Sequence, residues 1–263
     1  NSFHGRTIAT LKATAQEDKH KYFAPYPDGF VYANDINEAI NMIDDTTVGV
    51  MLELIQGEGG IFMQDIFQVQ RLERILKEKK LLLIIDEVQT GVYRSGNFLI
   101  SQYFGIKPDI VTLAKGLASG IPIGVMMTSL KDIFTFGDHG STFGGNHLST
   151  TVCKAVLKIL EKYSNSGKLG ENIKYFNSCL QYFTDKYPNI FLQKNGWGFM
   201  QGLVLKNEND LSNIVNLGLK NGVLVLKSGK NIIRFLPPII ISKKEIKEGF
   251  KRFEELIINY HKI

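Results

Sequence analysis

Three ionisable residues stand directly after short apolar runs. Glu53 follows Val48–Leu52, Asp86 follows Leu81–Ile85, and Lys115 follows Ile110–Ala114. If these runs are parallel strands, the spacing sets two carboxylates and an amine at the carboxyl rim of one sheet, where open α/β sheets bind ligands. A lysine at such a rim has a short menu. Partly desolvated, it gives up its proton more readily, and the neutral amine can form a Schiff base with a carbonyl. Ala114 before it and Gly116, Ala118, Ser119 and Gly120 after it are small enough to admit a flat cofactor. An aspartate at a neighbouring strand end suits a pyridinium nitrogen, because a carboxylate keeps the ring protonated and the protonated ring withdraws electrons. Asp86 alone reads equally well as a helix N-cap; its pairing with Lys115 favours the cofactor.

The elements that must position these groups follow from periodicity. Residues 48–128 repeat a short apolar run, a turn and an amphipathic helix, as in Ile66, Val69, Leu72, Ile75 and Leu76 at helical spacing. Strands alternating with helices imply parallel pairing, and Leu81–Ile85, apolar throughout, reads as a strand covered on both faces. After residue 148 the texture changes. Helices are expected over about 149–163 and 173–183, near 211–220 and from about 243, with strands at Phe199–Leu205, Val223–Leu226 and Ile232–Phe235. The chain is therefore divided into a large α/β domain, 1–150, and a connecting helix with a small α+β domain, 151–263.

Composition narrows the class. The 263 residues carry 31 Lys+Arg against 26 Asp+Glu, a net charge of +5, with 44% hydrophobic and 22% charged residues, an ordinary globular mix. The lysines at 77, 79 and 80 and at 243, 244 and 247 are interleaved with glutamates on helical stretches and read as solvated faces. No one-signed stripe with aromatics suggests nucleic acid. The longest aliphatic run is five residues, Leu81–Ile85, far short of the roughly 18–20 needed to span a membrane. No secretory leader opens the chain, and Cys153 and Cys179 cannot staple a chain of this length. A cytoplasmic protein is expected. His4, His20, His139, His147 and His261 show no metal-ligand spacing. Gly57-Glu58-Gly59-Gly60 carries an acid where a phosphate loop needs Lys followed by Ser or Thr.

Five motifs in order carry a resemblance. Phe3-His4-Gly5-Arg6-Thr7, Glu53-Leu54-Ile55-Gln56-Gly57-Glu58-Gly59-Gly60, Asp86-Glu87-Val88-Gln89-Thr90-Gly91, Thr112-Leu113-Ala114-Lys115-Gly116 and His139-Gly140-Ser141-Thr142-Phe143-Gly144-Gly145-Asn146 resemble the class III, pyridoxal-phosphate-dependent aminotransferases. Within that class the likeness is greatest to the acetylornithine aminotransferases, and it covers essentially the whole chain. The resemblance implies a fold-type I transferase, with a mostly parallel sheet, flanking helices and a small α+β C-terminal domain. It implies pyridoxal 5'-phosphate on Lys115, with Asp86 at the pyridine nitrogen, Gln89 at the ring hydroxyl, Phe3 and Val88 on the two ring faces, and Glu87 in the same cofactor loop. Thr142 would reach the cofactor phosphate of a partner subunit, so a homodimer with shared sites is implied, and Ser141 would face substrate. Arg234 would grip the α-carboxylate of glutamate, Arg6 the distal carboxylate of 2-oxoglutarate or the carboxylate of N2-acetylornithine, and Glu58 would pair with Arg234 when that site is not needed. Both arginines offer a planar fork that lysine does not copy.

The sequence also departs from the family. The segment upstream of Phe3, with a Gly-Thr turn that binds the cofactor phosphate, is absent here, so the chain reads as N-terminally incomplete with weak cofactor affinity. His147 stands where relatives usually carry proline, and Asn195 where an arginine often precedes Gly-x-Gly. The expected activity is transfer of the amino group of N2-acetylornithine to 2-oxoglutarate in arginine biosynthesis. Ornithine, succinyl-diaminopimelate and 4-aminobutyrate are the alternative donors, and a non-catalytic scaffold subunit is the non-enzyme alternative.

Overall fold

The computed structural model describes residues 1–260; His261 lies outside the described residues. The elements run in chain order α1 (Ile8–Ala13), α2 (Ile36–Asn41), β1 (Gly49–Leu52), β2 (Ile55–Gln56), β3 (Phe62–Met63) and α3 (Ile66–Glu78). Next come β4 (Leu82–Asp86), α4 (Ile100–Phe104), β5 (Ile110–Leu113), β6 (Val125–Thr128), α5 (His147–Asn165) and α6 (Lys168–Lys186). The chain closes with β7 (Phe191–Trp197), β8 (Met200–Leu205), α7 (Asp210–Lys220), β9 (Leu226–Ser228), β10 (Ile232–Phe235) and α8 (Lys243–Tyr260). Two compact units emerge: residues 1–54, 64–93 and 97–161 form the first, and 55–63, 94–96 and 162–263 the second.

The first unit holds a sheet in the order β1-β4-β5-β6. The three strands read from the sequence pair in parallel. β6, not anticipated, pairs antiparallel with β5 at the edge, and its residues are half-buried or exposed. Asp109 fixes the β4–β5 register, accepting from the Leu83 N–H at 2.8 Å while its own N–H donates to the Leu83 carbonyl at 2.9 Å. Leu83 and Ile85 are buried, but Leu82 and Ile84 are half-buried, so β4 is fully covered on one face rather than two. α3 starts where the Asp65 side chain accepts from the Gln68 N–H, and it buries Val69, Leu72 and Leu76. Lys77, Lys79 and Lys80 are exposed. At α5, Asn146 accepts from the Ser149 N–H at 2.9 Å, which makes His147 the first helical residue. That is the position where proline is favoured, and it explains how histidine and proline can exchange there.

Glu87 links β4 to α4. Its N–H donates to the Thr112 carbonyl at 3.0 Å, extending the parallel ladder. Its side chain is buried and accepts from Thr90 Oγ1 at 2.9 Å, the Ile100 N–H at 3.0 Å, the Ser101 N–H at 2.9 Å and Ser101 Oγ at 2.5 Å. These four donors match the four lone-pair sites of a carboxylate. The Glu87 carboxylate therefore ties the loop to the α4 N-terminus.

The second unit holds an antiparallel sheet in the order β7-β8-β10-β9. β8 is buried at all positions. Over this sheet α6 and α8 bring together a cluster of phenyl rings, with Phe183–Phe253 and Phe235–Phe253 centroids 5.1 Å apart and Phe176–Phe199 at 5.4 Å. Edge-on and tilted packing of this kind adds to plain area burial. Arg94 Nη1 donates to the carbonyls of Phe199 at 3.3 Å and Pro237 at 2.5 Å. Burial pushes its guanidinium down to about 10, still charged at neutral pH. The hairpin β2–β3 pairs antiparallel, and Ile61 in its turn adopts φ +51. Its side chain fills space that a Cβ at Gly196 or Gly202 would occupy, 2.5 Å and 2.9 Å away. Lys243, Lys244 and Lys247 on α8 are exposed.

Two substitutions test this packing. Glu87→Ala strands its four donors and should cost about 3–5 kcal/mol, read by urea denaturation, with faster hydrogen exchange at the Ile100 and Ser101 amides. Gly196→Ala places a Cβ 2.2 Å from the Met200 carbonyl at φ +93, and should cost about 2–4 kcal/mol by the same measurement.

Candidate active site

In the first unit the β4–β5 register aligns Asp86 with Thr112, and Lys115 follows three residues beyond Thr112. Parallel pairing thus delivers the carboxylate and the amine to one rim. Asp86 is buried at 5% exposure. Its Oδ1 accepts from the Val88 N–H at 3.0 Å and from Thr112 Oγ1 at 3.2 Å. Its Oδ2 lies 2.9 Å from His4 Nδ1, with both side chains buried. A carboxylate held by that many partners has one orientation.

The Phe3–Arg6 loop is fixed by two side chains. Glu53, at the end of β1, accepts from the Phe3 N–H at 2.9 Å, and Thr14 Oγ1 accepts from the His4 N–H at 2.9 Å. Gly5 takes φ +130, and a Cβ there would meet Thr10 Oγ1 at 2.7 Å. Arg6 is exposed, with its guanidinium 5.7 Å from the Phe3 ring centroid. Glu53, read as a possible acid, is thus the anchor of the aromatic loop. This link and the His4–Asp86 contact had no signal beyond the closeness of His4 to Phe3 in sequence.

Lys115 opens a 3-10 turn after β5 at φ +48, in the left-handed region that lysine rarely enters. It is exposed, so the expected desolvation is not supplied by the described residues. No atom lies within 4 Å of a Cβ built at Gly116 or Gly120, which leaves open space beside the amine for a flat group. Val88 and Gln89 are half-buried on the loop after Asp86. Amine, fixed carboxylate, aromatic ring and open glycines form a donor set that fits a pyridine aldehyde. Ser141 and Thr142 lie in the stretch 131–148, exposed throughout, where Ser141 Oγ accepts from the Gly144 N–H at 3.0 Å.

The second unit brings together Arg234 and Glu58. Arg234 sits within β10, opposite Gly202 and Leu226, and is 8% exposed. Its Nη1 donates to Glu58 Oε1 at 2.7 Å and to the Gly57 carbonyl at 3.0 Å. Its Nε is buried and finds no acceptor among the described residues. A buried donor without a partner is costly, and a carboxylate bound edge-on would satisfy it. The pairing of Glu58 with Arg234 therefore stands as the resemblance implied. Asn195 donates from Nδ2 to the Gly60 carbonyl at 3.3 Å, a local tie that does not depend on an arginine's charge. Among the described residues, no group of histidines, cysteines and acids could hold a metal ion.

The chain is similar to known proteins. Residues 1–257 match the model of the aminotransferase class-III family. The acetylornithine aminotransferase of Wolinella succinogenes is 51% identical over 98% of this chain and 65% of its own length. That of Aquifex aeolicus is 40% identical over 98% of this chain and 67% of its own. Among solved structures, the ornithine aminotransferase of Toxoplasma gondii superposes with a TM-score of 0.90 at 28% identity, covering 100% of this chain and 64% of that one. The N-acetylornithine aminotransferase of Stenotrophomonas maltophilia gives 0.77 at 28% identity, covering 88% and 62%. The chain thus spans about 65% of the length of the first curated relative. Its fold is that of the fold-type I, pyridoxal-phosphate-dependent transferases, and the chain belongs to the class-III aminotransferase family.

Proposed function

We propose that the protein moves the amino group of N2-acetylornithine to 2-oxoglutarate, giving N-acetylglutamate semialdehyde and glutamate, as a step of arginine biosynthesis. The observation that carries the reaction type is Asp86 and Lys115 at adjacent parallel strand ends; the 51% identical relative supports the donor. Pyridoxal phosphate, when bound, supplies an electron sink for the carbon that bears the substrate amine. Lys115 would hold the cofactor through Nζ and would carry the proton to and from that carbon. Asp86 keeps the proton on the ring nitrogen, and His4 and Thr112 keep Asp86 aimed. Phe3 and Val88 hold the ring flat, while Gln89 takes its hydroxyl.

Arg234 takes the α-carboxylate of glutamate or 2-oxoglutarate, and Arg6 the distal carboxylate or that of acetylornithine. Glu58 neutralises Arg234 while the donor, whose reacting amine lies far from its carboxylate, is bound. The protein works as a cytoplasmic homodimer in which Thr142 and Ser141 serve the partner's site. The exposed stretch 131–148, with Phe136, Phe143 and Leu148 open to solvent, supports an intersubunit role. Among the described residues no helix is long and apolar enough to cross a membrane. Ornithine as donor is the second reading, favoured by the 0.90 TM-score to the Toxoplasma gondii enzyme.

Titration of the protein with pyridoxal phosphate should raise a visible band that resists dialysis and bleaches with N-acetylornithine. Lys115→Ala should form no such band and show no turnover with the fold intact; turnover in that variant would overturn the mechanism. Arg234→Lys loses the bidentate grip and should raise the KM for 2-oxoglutarate about ten- to a hundredfold, measured by steady-state kinetics. A bleaching response to ornithine but not to N-acetylornithine would transfer the assignment to the second reading.

A further inference from the structure

The turn that carries Glu58 is held at both ends by one hydroxyl. Ser228, 3% exposed, donates from Oγ to the Gly57 carbonyl at 2.7 Å and accepts from the Gly60 N–H at 3.1 Å. The next residue adds a third tie, because the Gly229 N–H donates to the Glu58 carbonyl at 3.2 Å. That approach requires glycine. Gly229 has φ +57, and a Cβ there would lie 3.2 Å from the Gly60 Cα. Asn195 holds the Gly60 carbonyl from the other side, and Ile61 seats the turn in the space left by Gly196 and Gly202. The backbone of the turn is thereby fixed. What stays open is the Glu58 side chain, 36% exposed, against 10% for that of Arg234.

A substrate carboxylate that takes Arg234 through Nη1 must displace the Glu58 carboxylate. How strongly Glu58 competes depends on how well its backbone is held in advance. A half-exposed ion pair gains little when it must also order the chain that carries it, and more when that ordering is already complete. Ser228 does no chemistry, and its hydroxyl is spent on the two backbone groups that bracket Glu58.

We propose that Ser228 is a positioning residue that sets the strength of the Glu58–Arg234 pair. Through that pair it sets the choice between a substrate that presents its α-carboxylate to Arg234 and one that leaves Arg234 on Glu58. The inference rests on the reading of Arg234 as the α-carboxylate site. Loss of the hydroxyl weakens Glu58 as a competitor, so dicarboxylates bind more tightly and discrimination between the two substrate types falls.

The test is equilibrium binding of glutarate, a dicarboxylate with no reacting group, to the protein loaded with pyridoxal phosphate, measured by calorimetry. Ser228→Ala should tighten glutarate binding about three- to tenfold, whereas Ser228→Thr, which keeps the hydroxyl, should match the parent. In a Glu58→Gln background, Ser228→Ala should change nothing further, because coupling through a shared partner vanishes when that partner is gone. Ser228→Cys keeps the volume, weakens both hydrogen bonds and should tighten binding to a smaller degree, so it carries the test if the alanine variant does not fold. Unchanged or weaker binding in the alanine and cysteine variants overturns the proposal, as does an equal effect with and without the Glu58 carboxylate. Arg234→Lys separates the two levels. If it leaves glutarate binding unaltered, the Arg234 reading falls and the proposal with it; if it weakens binding while Ser228 shows no coupling to Glu58, the proposal alone falls.

Discussion

The first unit is organised by two consecutive carboxylates buried at the end of one strand. Side chains alternate across a strand, so Asp86 and Glu87 depart in different directions from the same backbone. Asp86 meets His4 and Thr112, and Glu87 meets the first residues of α4. Each buried carboxylate is tolerable only because donors surround it. The loop from Asp86 to Gly91 is therefore pinned from two sides. Gly91 completes the arrangement, since a Cβ there would sit 2.6 Å from Leu113 Cδ2 and 2.9 Å from the Glu87 carbonyl. Whatever Val88 and Gln89 hold, they hold from a rigid frame.

The second unit solves a different electrostatic problem. A guanidinium in the middle of an antiparallel strand is kept among apolar neighbours, and its charge is answered by one glutamate and one carbonyl. That answer is incomplete, because among the described residues Nε has no acceptor. A guanidinium offers several donors in one plane, so the Arg234 Nε–H stays available to a further acceptor. The ring cluster of Phe176, Phe183, Phe235, Phe250 and Phe253 supplies the rigid support beneath the sheet.

Much of the fold was legible because the strands that matter are apolar runs cut off by small or charged residues. The parallel trio and Ile232–Phe235 were read in this way, and α3 and α8 by period. β7 escaped because Leu192 is exposed and Gln193, Lys194 and Asn195 carry no apolar alternation. The strand expected at Val223–Leu226 lies at Leu226–Ser228, where pairing with β10, not hydrophobicity, decides its limits. At the site, residue types and spacing pointed to Asp86 and Lys115, and the family resemblance to Glu58 and Arg234. The bonds of the Glu87 side chain to α4 left no signal of their own, since a motif says nothing about which way a side chain points, although strand alternation places it opposite Asp86. Thr14 and Ser228 left no trace, since a hydroxyl that bonds to a distant backbone has no periodic or compositional signature, and Thr112 appeared only as the first residue of the lysine motif.

The left-handed backbone at Lys115 has a consequence for how such a chain can change. A lysine at φ +48 carries strain on the order of 1–3 kcal/mol, which glycine at the same position would relieve. Selection for a more stable fold and selection for a reactive amine therefore act in opposite directions on one residue. A lineage released from the chemistry would drift there first, toward glycine, with no loss of folding to oppose it.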